Sequence, residues 1–359
     1  MYRDKNSIFD LILTKPGGRI LVVLVTGATG FLGGVHIRQL LQEHDRQDIR
    51  FLHMKGENIE KLLKEGFQSF QGNLGDPESL KGIMQDVTDV YHLAAIAINE
   101  AAPRDIMMRV NYEGTMVLAN EFLREESTRK FVYASTLGVY GFNYPDFPIT
   151  EEHPIYPANN YQESKFLAEQ HLMQLSTKQD MNVTAIRNSL IVGPGDTLTS
   201  PRVVSGLLNG QIKYLGKGTK KFSMVDARDC STAMQLTTKN SISKGKAYNI
   251  KSFDICQNEY FCCYADACGG YHPTKRVPSW LAKLFAWYKE TTTPQGQEVL
   301  ITRTRIDRYT NYRMLDDSKI RKELGYQPQH TNPQQVINDS VAWLVENNYI
   351  QIPDTKSEN

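Results

Sequence analysis

Hydrophobic and polar positions change their spacing repeatedly along the first half of the chain. Short apolar runs alternate with longer stretches whose apolar residues recur every three to four positions, and these patterns predict strands and helices respectively. Strands are predicted at residues 21–25, 49–54, 67–71, 87–93, 130–135 and 182–186, and helices at 31–42, 59–65, 103–124 and 160–175, with another starting at Asp76-Pro77. This alternation predicts an α/β fold, with helices on both faces of a parallel sheet.

The second half of the chain loses this alternation after Arg187. Loops rich in glycine and proline separate helices of varied length, which predicts a smaller substrate-binding lobe over residues 187–350. Within it, a helix at 229–238 and a strand at 246–251 suggest that the segment 225–251 returns to the main sheet.

Two late helices and the two chain ends complete the pattern. The helices, at residues 279–289 and 333–346, are amphipathic, and we expect each to pack its apolar face against the protein in preference to the alternative, contact with a membrane. Residues 1–19 carry charges around a very short apolar patch, unlike a secretory signal, so we expect an extension outside the fold. Residues 351–359 are expected to form a flexible tail.

The first predicted strand runs into three glycines, in the stretch LVVLVTGATGFLG at residues 21–33. Gly27 suits a turn closed to side chains, Gly30 lets the backbone approach a pyrophosphate, and Gly33 allows the helix to pack closely on the strand. The phosphates would lie at the helix N-terminus, where free N–H groups and the dipole favour negative charge. The pattern is typical of a Rossmann-type, doubly wound sheet and predicts a dinucleotide-binding domain over residues 20–186.

Composition narrows the choice of partner. The 359 residues carry 41 basic and 40 acidic side chains, a net charge of +1, which provides no broad field for nucleic acid. No apolar run of about 18 residues is present, so we expect no membrane insertion. The five cysteines lack paired metal-ligand spacing and a matching histidine cluster, so we expect reduced thiols in a cytoplasmic protein and no metal. A small molecule is the expected partner.

A tyrosine and a lysine carry the candidate chemistry. Tyr161 and Lys165 are four positions apart on the helix after the fifth strand, so they share one helix face. A cation lowers the pKa of a neighbouring phenol and makes it a usable acid or base near neutral pH. Ser135 and Thr136 end the fifth strand, at the sheet edge where ligands bind in such folds. Either hydroxyl could hold a substrate oxygen while Tyr161 transfers a proton.

Nine ordered motifs resemble those of the extended short-chain dehydrogenase/reductases, also called the NAD-dependent epimerase/dehydratase family. They are TGATGFLG at 26–33, GNLGDPESL at 72–80, HLAA at 92–95, NYEGT at 111–115, YASTLGVYG at 133–141, YQESK at 161–165, RNSLIVGPG at 187–195, VDARD at 225–229 and KELGYQP at 322–328. The resemblance implies catalytic roles for Thr136, Tyr161 and Lys165, with Ser135 as the fallback hydroxyl. It also implies a structural role for Asn111, and homodimers are common in the family.

The resemblance further implies a set of cofactor contacts. They are Gly27, Thr29, Gly30, Phe31, Leu32, Gly33, Lys55, Asn73, Leu74, Leu93, Ala94, Ala95, Tyr161 and Lys165. Asn73 replaces an aspartate that accepts from the adenine amino group in the family, and an amide oxygen can do the same. The second strand ends at His53 instead of an acid that would bind a ribose 2′-hydroxyl, and Lys55 follows. We therefore expect NADP(H) to be favoured over NAD(H).

Two departures from the family's motifs restrict the class of substrate. Sugar-nucleotide members resemble one another in an arginine that clamps a diphosphate, and here that position is Phe222, with two lysines just before it. Dehydratase members share an acidic pair after the catalytic threonine, where this chain has Leu137-Gly138. What remains resembles the branch of dihydroflavonol reductases and 3β-hydroxysteroid dehydrogenases. Thr136, Asn188 and Phe222 are the expected substrate contacts.

We therefore expect reversible reduction of a ketone or aldehyde on a largely apolar small molecule. A nucleotide-sugar epimerase with retained NAD is the alternative. A non-catalytic NADP-binding regulator is a third interpretation, but its expected mark would be a broken tyrosine and lysine pair, and here Tyr161 and Lys165 are both present.

Overall fold

A computed structural model describes residues 22–97, 103–142, 147–294, 299 and 301–352. The predicted N-terminal extension, and the predicted tail from residue 353 onward, lie outside the described residues.

Twelve strands and twelve helices form the described regular structure. The strands are β1 (Val22–Thr26), β2 (Ile49–His53), β3 (Gln68–Gln71), β4 (Val87–His92), β5 (Lys130–Thr136), β6 (Val183–Asn188), β7 (Leu190–Val192), β8 (Tyr214–Leu215), β9 (Lys221–Asp226), β10 (Lys246–Ile250), β11 (Phe253–Cys256) and β12 (Arg276–Val277). The helices are α1 (Phe31–Gln39), α2 (Glu60–Lys64), α3 (Arg104–Met107), α4 (Gly114–Arg124), α5 (Asn160–Gln179), α6 (Thr199–Leu208), α7 (Ala227–Thr238), α8 (Gln257–Cys268), α9 (Ser279–Thr292), α10 (Arg303–Thr310), α11 (Ser318–Leu324) and α12 (Pro333–Glu346). A π-helical segment, Met108–Glu113, joins α3 to α4.

Seven parallel strands form the central sheet, in the spatial order β10-β6-β5-β4-β1-β2-β3. The strand order reverses between β1 and β4, and open α/β sheets bind ligands beyond the carboxyl ends of the strands at such a point. The prediction of a Rossmann-type parallel sheet is confirmed. The chain also returns to this sheet late, because β10 pairs with β6.

Apolar side chains cover both faces of the central sheet. Ile37 of α1 and Met234 of α7 are fully buried against one face, and Leu118 of α4 and Leu172 of α5 are fully buried against the other. β1 is buried along its whole length, as expected for an interior strand of a parallel sheet.

A smaller lobe lies beyond the carboxyl ends of these strands. Its sheet has the order β11-β9-β7, with β11 antiparallel to β9 and β7 parallel to it. Side chains of α6, α8 and α12 pack with this sheet around a separate core that is rich in aromatic residues.

Two expectations about helices are wrong. Asp76 does not begin an α-helix with a side-chain cap: Pro77–Leu80 is a single 3₁₀ turn, and the Asp76 side chain makes no capping hydrogen bond. The late helices also differ, because α12 buries Val336, Ile337 and Val341, whereas in α9 only two alanines are buried. Within the described residues, no helix combines the length and apolar character needed to cross a bilayer.

Candidate active site

The glycine loop between β1 and α1 is shaped by two positions that exclude side chains. Gly27 has a φ of +76°, and a Cβ there would lie 2.8 Å from the Ala94 nitrogen. A Cβ on Gly33 would lie 2.0 Å from the Gly27 carbonyl oxygen. The loop can therefore approach both the β4 loop and the first turn of α1 only because glycine occupies both positions.

A cavity of about 340 Å³ opens beside this loop. The predicted contacts that line it are Gly27, Thr29, Gly30, Asn73, Leu74, Leu93, Ala94 and Ala95. Phe31, Leu32 and Gly33 are instead the first residues of α1, next to the loop, and are not in the cavity wall. Lys55 is exposed and does not line the cavity. The wall combines the glycine loop with apolar side chains and a few polar ones, which fits the nucleotide part of a dinucleotide.

The cavity wall also contains an acid that the sequence interpretation missed. Thr29 Oγ1 donates a hydrogen bond to Glu57 Oε2 at 2.8 Å, and the Met54 backbone N–H donates to Glu57 Oε1 at 3.2 Å. The chain turns at Gly56, whose φ is +89°, so Glu57 comes back towards the glycine loop. The predicted position for an acid was the strand end itself, which is His53. A search of the whole β2 loop would have included Glu57.

Buried polar groups fix the loop that follows β4. Thr26 Oγ1 accepts hydrogen bonds from the backbone N–H groups of Leu93 and Ala94, at 3.2 and 3.1 Å, and lies 2.7 Å from His92 Nδ1. Burial lowers the pKa of His92 to about 3, so its imidazole is neutral. Further along, Asn111 Oδ1 accepts from the Ile96 N–H at 2.8 Å, which agrees with the structural role expected for Asn111.

Helix α5 holds Tyr161 and Lys165 one turn apart. The Asn159 side chain caps its start by accepting from the Gln162 N–H at 2.9 Å. Tyr161, in the first turn, is half-buried, whereas Lys165 is only 2% exposed. Lys165 Nζ lies 4.0 Å from the centre of the Tyr133 ring on β5. Burial lowers the pKa of Lys165 to about 7, partly offset by the nearby Glu169 carboxylate.

The two candidate hydroxyls at the end of β5 have different surroundings. Ser135 is 3% exposed and donates to Glu169 Oε2 at 2.5 Å. Glu169 in turn forms a buried ion pair with Arg187, at 2.5 Å. Thr136 is half-buried, and its Oγ1 accepts from the Gly138 N–H at 3.1 Å. Ser135 therefore belongs to a buried polar network, while Thr136 is the more accessible hydroxyl at the sheet edge.

Asn188 and Phe222, the other predicted substrate contacts, also differ in setting. Asn188 donates to the Ser135 carbonyl oxygen at 3.1 Å and accepts from Cys230 Sγ at 2.9 Å, so its amide is used inside the protein. Phe222 is 1% exposed, packs edge-on against Tyr309, and lines a small cavity of about 50 Å³.

A second large cavity, of about 380 Å³, lies in the smaller lobe. Three arginines line it, Arg202 from α6 and Arg305 and Arg308 from α10, and none of its described lining residues is acidic. The rest of the described wall is mostly apolar, formed by Ala97, Leu198, Thr199, Val203, Ile212, Phe261 and Tyr309. Sequence interpretation missed these arginines. The small cavity at Phe222 shares Arg308 and Tyr309 with this one, and Ala97 follows the segment that lines the nucleotide cavity.

The cysteines are not disulfide-bonded. Cys230, Cys256 and Cys268 are buried, and Cys262 and Cys263 are half-buried. The described residues contain no group of three or more His, Cys, Asp or Glu side chains that could hold a metal ion.

Residues 23–250 match the model of the NAD dependent epimerase/dehydratase family. The chain belongs to this family. It is therefore an enzyme of the extended short-chain dehydrogenase/reductase type, as the motifs predicted.

Several curated proteins are similar over most of the chain. Sterol demethylase protein B of Methylococcus capsulatus is 27% identical over 92% of this chain and all of its own length. Sterol-4-alpha-carboxylate 3-dehydrogenase erg26, decarboxylating, of Schizosaccharomyces pombe is 32% identical over 68% of this chain and 73% of its own. A putative dihydroflavonol 4-reductase of Synechocystis is 25% identical over 91% of this chain and 95% of its own, as expected for the predicted branch.

A solved structure agrees on the fold. The dTDP-glucose 4,6-dehydratase DesIV of Streptomyces venezuelae, determined with NAD bound, has a TM-score of 0.73 and 22% identity, covering 91% of this chain and 98% of that one.

Proposed function

We propose that this protein interconverts a ketone and a secondary alcohol on a largely apolar small molecule that carries an anionic group, with a nicotinamide cofactor. The observation that carries the proposal is the second cavity, whose described wall combines apolar side chains with Arg202, Arg305 and Arg308. We assign the substrate to this lobe, formed mainly by residues 187–350.

The cofactor supplies or accepts the hydride, and the chain's own residues handle the proton. In reduction, the Tyr161 hydroxyl donates a proton to the substrate oxygen, and in oxidation it takes the proton back. Thr136 holds that oxygen by a hydrogen bond. Lys165 holds the nicotinamide ribose and, when charged, stabilises the phenolate of Tyr161. Ser135 is the less suitable hydroxyl, because it already donates to Glu169.

The substrate's chemical class follows from the cavity wall. Guanidinium groups bind carboxylates through paired, charge-assisted hydrogen bonds. The aliphatic and aromatic residues around them favour an apolar body. One relative is named as a sterol-4-alpha-carboxylate 3-dehydrogenase, so a polycyclic hydroxy acid is the first candidate to test.

The cofactor preference also belongs to this proposal. NADP(H) was expected because no acid ends β2 and because Lys55 follows. Lys55 is exposed and outside the cavity wall, whereas the Glu57 carboxylate is in it. A carboxylate accepts hydrogen bonds from ribose hydroxyls and repels a 2′-phosphate, so we propose NAD(H) as the preferred cofactor.

Replacement of Glu57 by serine tests this preference. We expect the ratio of NADH to NADPH affinity to fall by about tenfold or more, because a like-charge contact is removed. Replacement of Glu60, an exposed acid paired with Lys64, by serine is the matched control and should leave the ratio unchanged. A wild-type protein that binds NADPH more tightly than NADH would contradict the proposal.

A nucleotide-sugar epimerase remains the alternative, since three arginines also suit a diphosphate. Thermal shift with UDP-glucose beside a steroid carboxylic acid separates the two. Protection from melting by UDP-glucose alone would favour the epimerase. The homodimer that the family resemblance implies is a separate prediction, which light scattering after gel filtration would check.

The reaction itself is tested by following NADH absorbance with paired hydroxy and keto substrates, each with and without a carboxylate. We expect turnover to require Tyr161, so Tyr161→Phe should lose about 100-fold or more in kcat/KM. Tyr248→Phe, which removes a hydroxyl that donates to Glu323 away from the site, is the control. Unchanged turnover in Tyr161→Phe would contradict the assigned role, and a preference for uncarboxylated substrates would contradict the substrate class.

A further inference from the structure

Helix α9 turns its large apolar side chains away from the other described residues. Only Ala282 and Ala286 are buried, in a small cluster with Ile306 of α10. The exposed large apolar side chains on this helix are Trp280, Leu281, Leu284, Phe285, Trp287 and Tyr288, which are between 43% and 69% exposed. At 3.6 residues per turn they occupy one continuous face of roughly 160°, opposite the two alanines.

The other late helix has the usual arrangement. In α12 the large apolar residues Val336, Ile337 and Val341 are buried against the smaller lobe. Both helices have 14 residues, so length does not explain the difference. A large apolar face that the described residues leave exposed indicates a binding surface.

The chain around α9 is basic, although the whole protein is close to neutral. Residues 267–289 contain four basic and no acidic side chains, and so do residues 211–225; Glu290, the one acid of α9, follows and pairs with Arg303. The two stretches adjoin in space, because β8 pairs with β12 and Arg276 donates to the Lys217 carbonyl oxygen at 2.6 Å.

Four lysines in these stretches form what we call the basic rim: Lys213, Lys217, Lys275 and Lys289. All four are exposed, and none forms an ion pair with a described residue. An exposed apolar helix beside unpaired cations is complementary to a surface that offers negative charge above an apolar layer.

We propose that α9 and the basic rim bind the protein peripherally to an anionic phospholipid bilayer. A helix of 14 residues spans about 21 Å, less than the roughly 30 Å of a hydrocarbon core, so α9 would lie along the headgroup region and not cross it. Tryptophan and tyrosine side chains are favoured at that depth, and α9 exposes three of them. This proposal is independent of the reaction catalysed.

A second copy of the chain fits this surface less well. A twofold contact through α9 would place the same patch on both subunits. The basic rims would then lie near each other, and like charges would repel across the contact. An anionic bilayer instead attracts the rim, because its surface carries the opposite charge.

Vesicle sedimentation of the full chain tests the proposal. We expect the protein to pellet with phosphatidylcholine vesicles that contain phosphatidylserine, to pellet less with phosphatidylcholine alone, and to be released by salt, because screening weakens the attraction. The double variant Trp280→Ser/Trp287→Ser should bind about tenfold or more weakly, since two exposed indoles no longer leave water. Lys275→Glu should weaken binding only to the anionic vesicles.

The matched control replaces exposed apolar residues elsewhere. Ile242 and Tyr349 are 50% and 53% exposed and lie outside α9, so Ile242→Ser/Tyr349→Ser should bind vesicles like the wild type. Thermal melting checks that both double variants are folded. Absence of pelleting with either kind of vesicle would overturn the proposal. So would concentration-dependent dimers in light scattering that are lost in Trp280→Ser/Trp287→Ser, because the face would then belong to a second copy.

Discussion

Two buried lysines contact strand β5 at different points and share a lowered pKa. Lys130 is the first residue of β5, and Lys165 lies over the ring of Tyr133, further along the same strand. Each is 2% exposed, and burial lowers the pKa of each to about 7. By their pKa values alone, the two residues are equivalent candidates for function.

Their contacts distinguish them. Lys130 Nζ donates to Asn182 Oδ1 at 3.0 Å and to Ser243 Oγ at 2.7 Å. Lys165 Nζ lies over the Tyr133 ring, and no described residue accepts a hydrogen bond from it. Lys130 therefore donates to groups of its own protein, whereas the described residues provide no acceptor for Lys165. A lowered lysine pKa thus indicates burial alone, and the hydrogen-bond donors left unused are what make Lys165 the better candidate for ligand binding.

The largest expected effect comes from replacing each lysine by methionine. Lys165→Met should lose about 100-fold or more in turnover, because the proton transfer by Tyr161 loses its cationic neighbour. Lys130→Met should keep turnover within about twofold, since Lys130 donates to groups of its own protein. Steady-state kinetics with NADH, beside melting curves for both variants, measure the difference. Equal losses of turnover in two folded variants would remove the distinction between the lysines.

The second largest effect is expected from replacing Glu169 of α5. Its carboxylate favours the charged form of Lys165 and forms an ion pair with Arg187 of β6. Glu169→Gln leaves a buried guanidinium without its counter-charge, so the free energy of unfolding should fall by about 3–5 kcal/mol. Glu163→Gln breaks an exposed pair with Arg104 on the same helix and should cost less than about 1 kcal/mol. Chemical denaturation measures the free energy of unfolding of both variants. Equal losses would show that burial does not make an ion pair more important for stability.

Sequence patterns predicted the sheet better than the second cavity, for a physical reason. Strand positions follow from local runs of apolar residues, and Gly27 and Gly33 could be assigned because the turn and the close packing allow little else. Arg202 and Arg308 come together only through folding of a lobe without a regular repeat, across about a hundred residues.

Periodicity also reveals that a helix is amphipathic, but not which face meets the protein. The apolar face of α12 is buried as predicted, whereas α9 buries its alanines instead. Glu57 escaped prediction for a related reason: a turn at Gly56 brings it back to the glycine loop, and spacing along a strand contains no information about that turn.

The smallest expected effect is the pH dependence that Lys130 contributes to stability. The unfolded chain has the ordinary lysine pKa of 10.5, and the folded chain has a pKa of about 7, so the unfolded state binds more protons between these values. The contribution of Lys130 to the free energy of unfolding therefore rises with pH from about 7 to 10.5, and this gain is lost as the pH falls back towards 7. Lys130→Met lacks this contribution, so its melting temperature relative to the wild type should be highest near pH 6 and should decline steadily towards pH 9. A difference in melting temperature that stays constant with pH would mean that Lys130 remains charged in the folded protein. Lys165 would then be the only one of the two lysines with a lowered pKa.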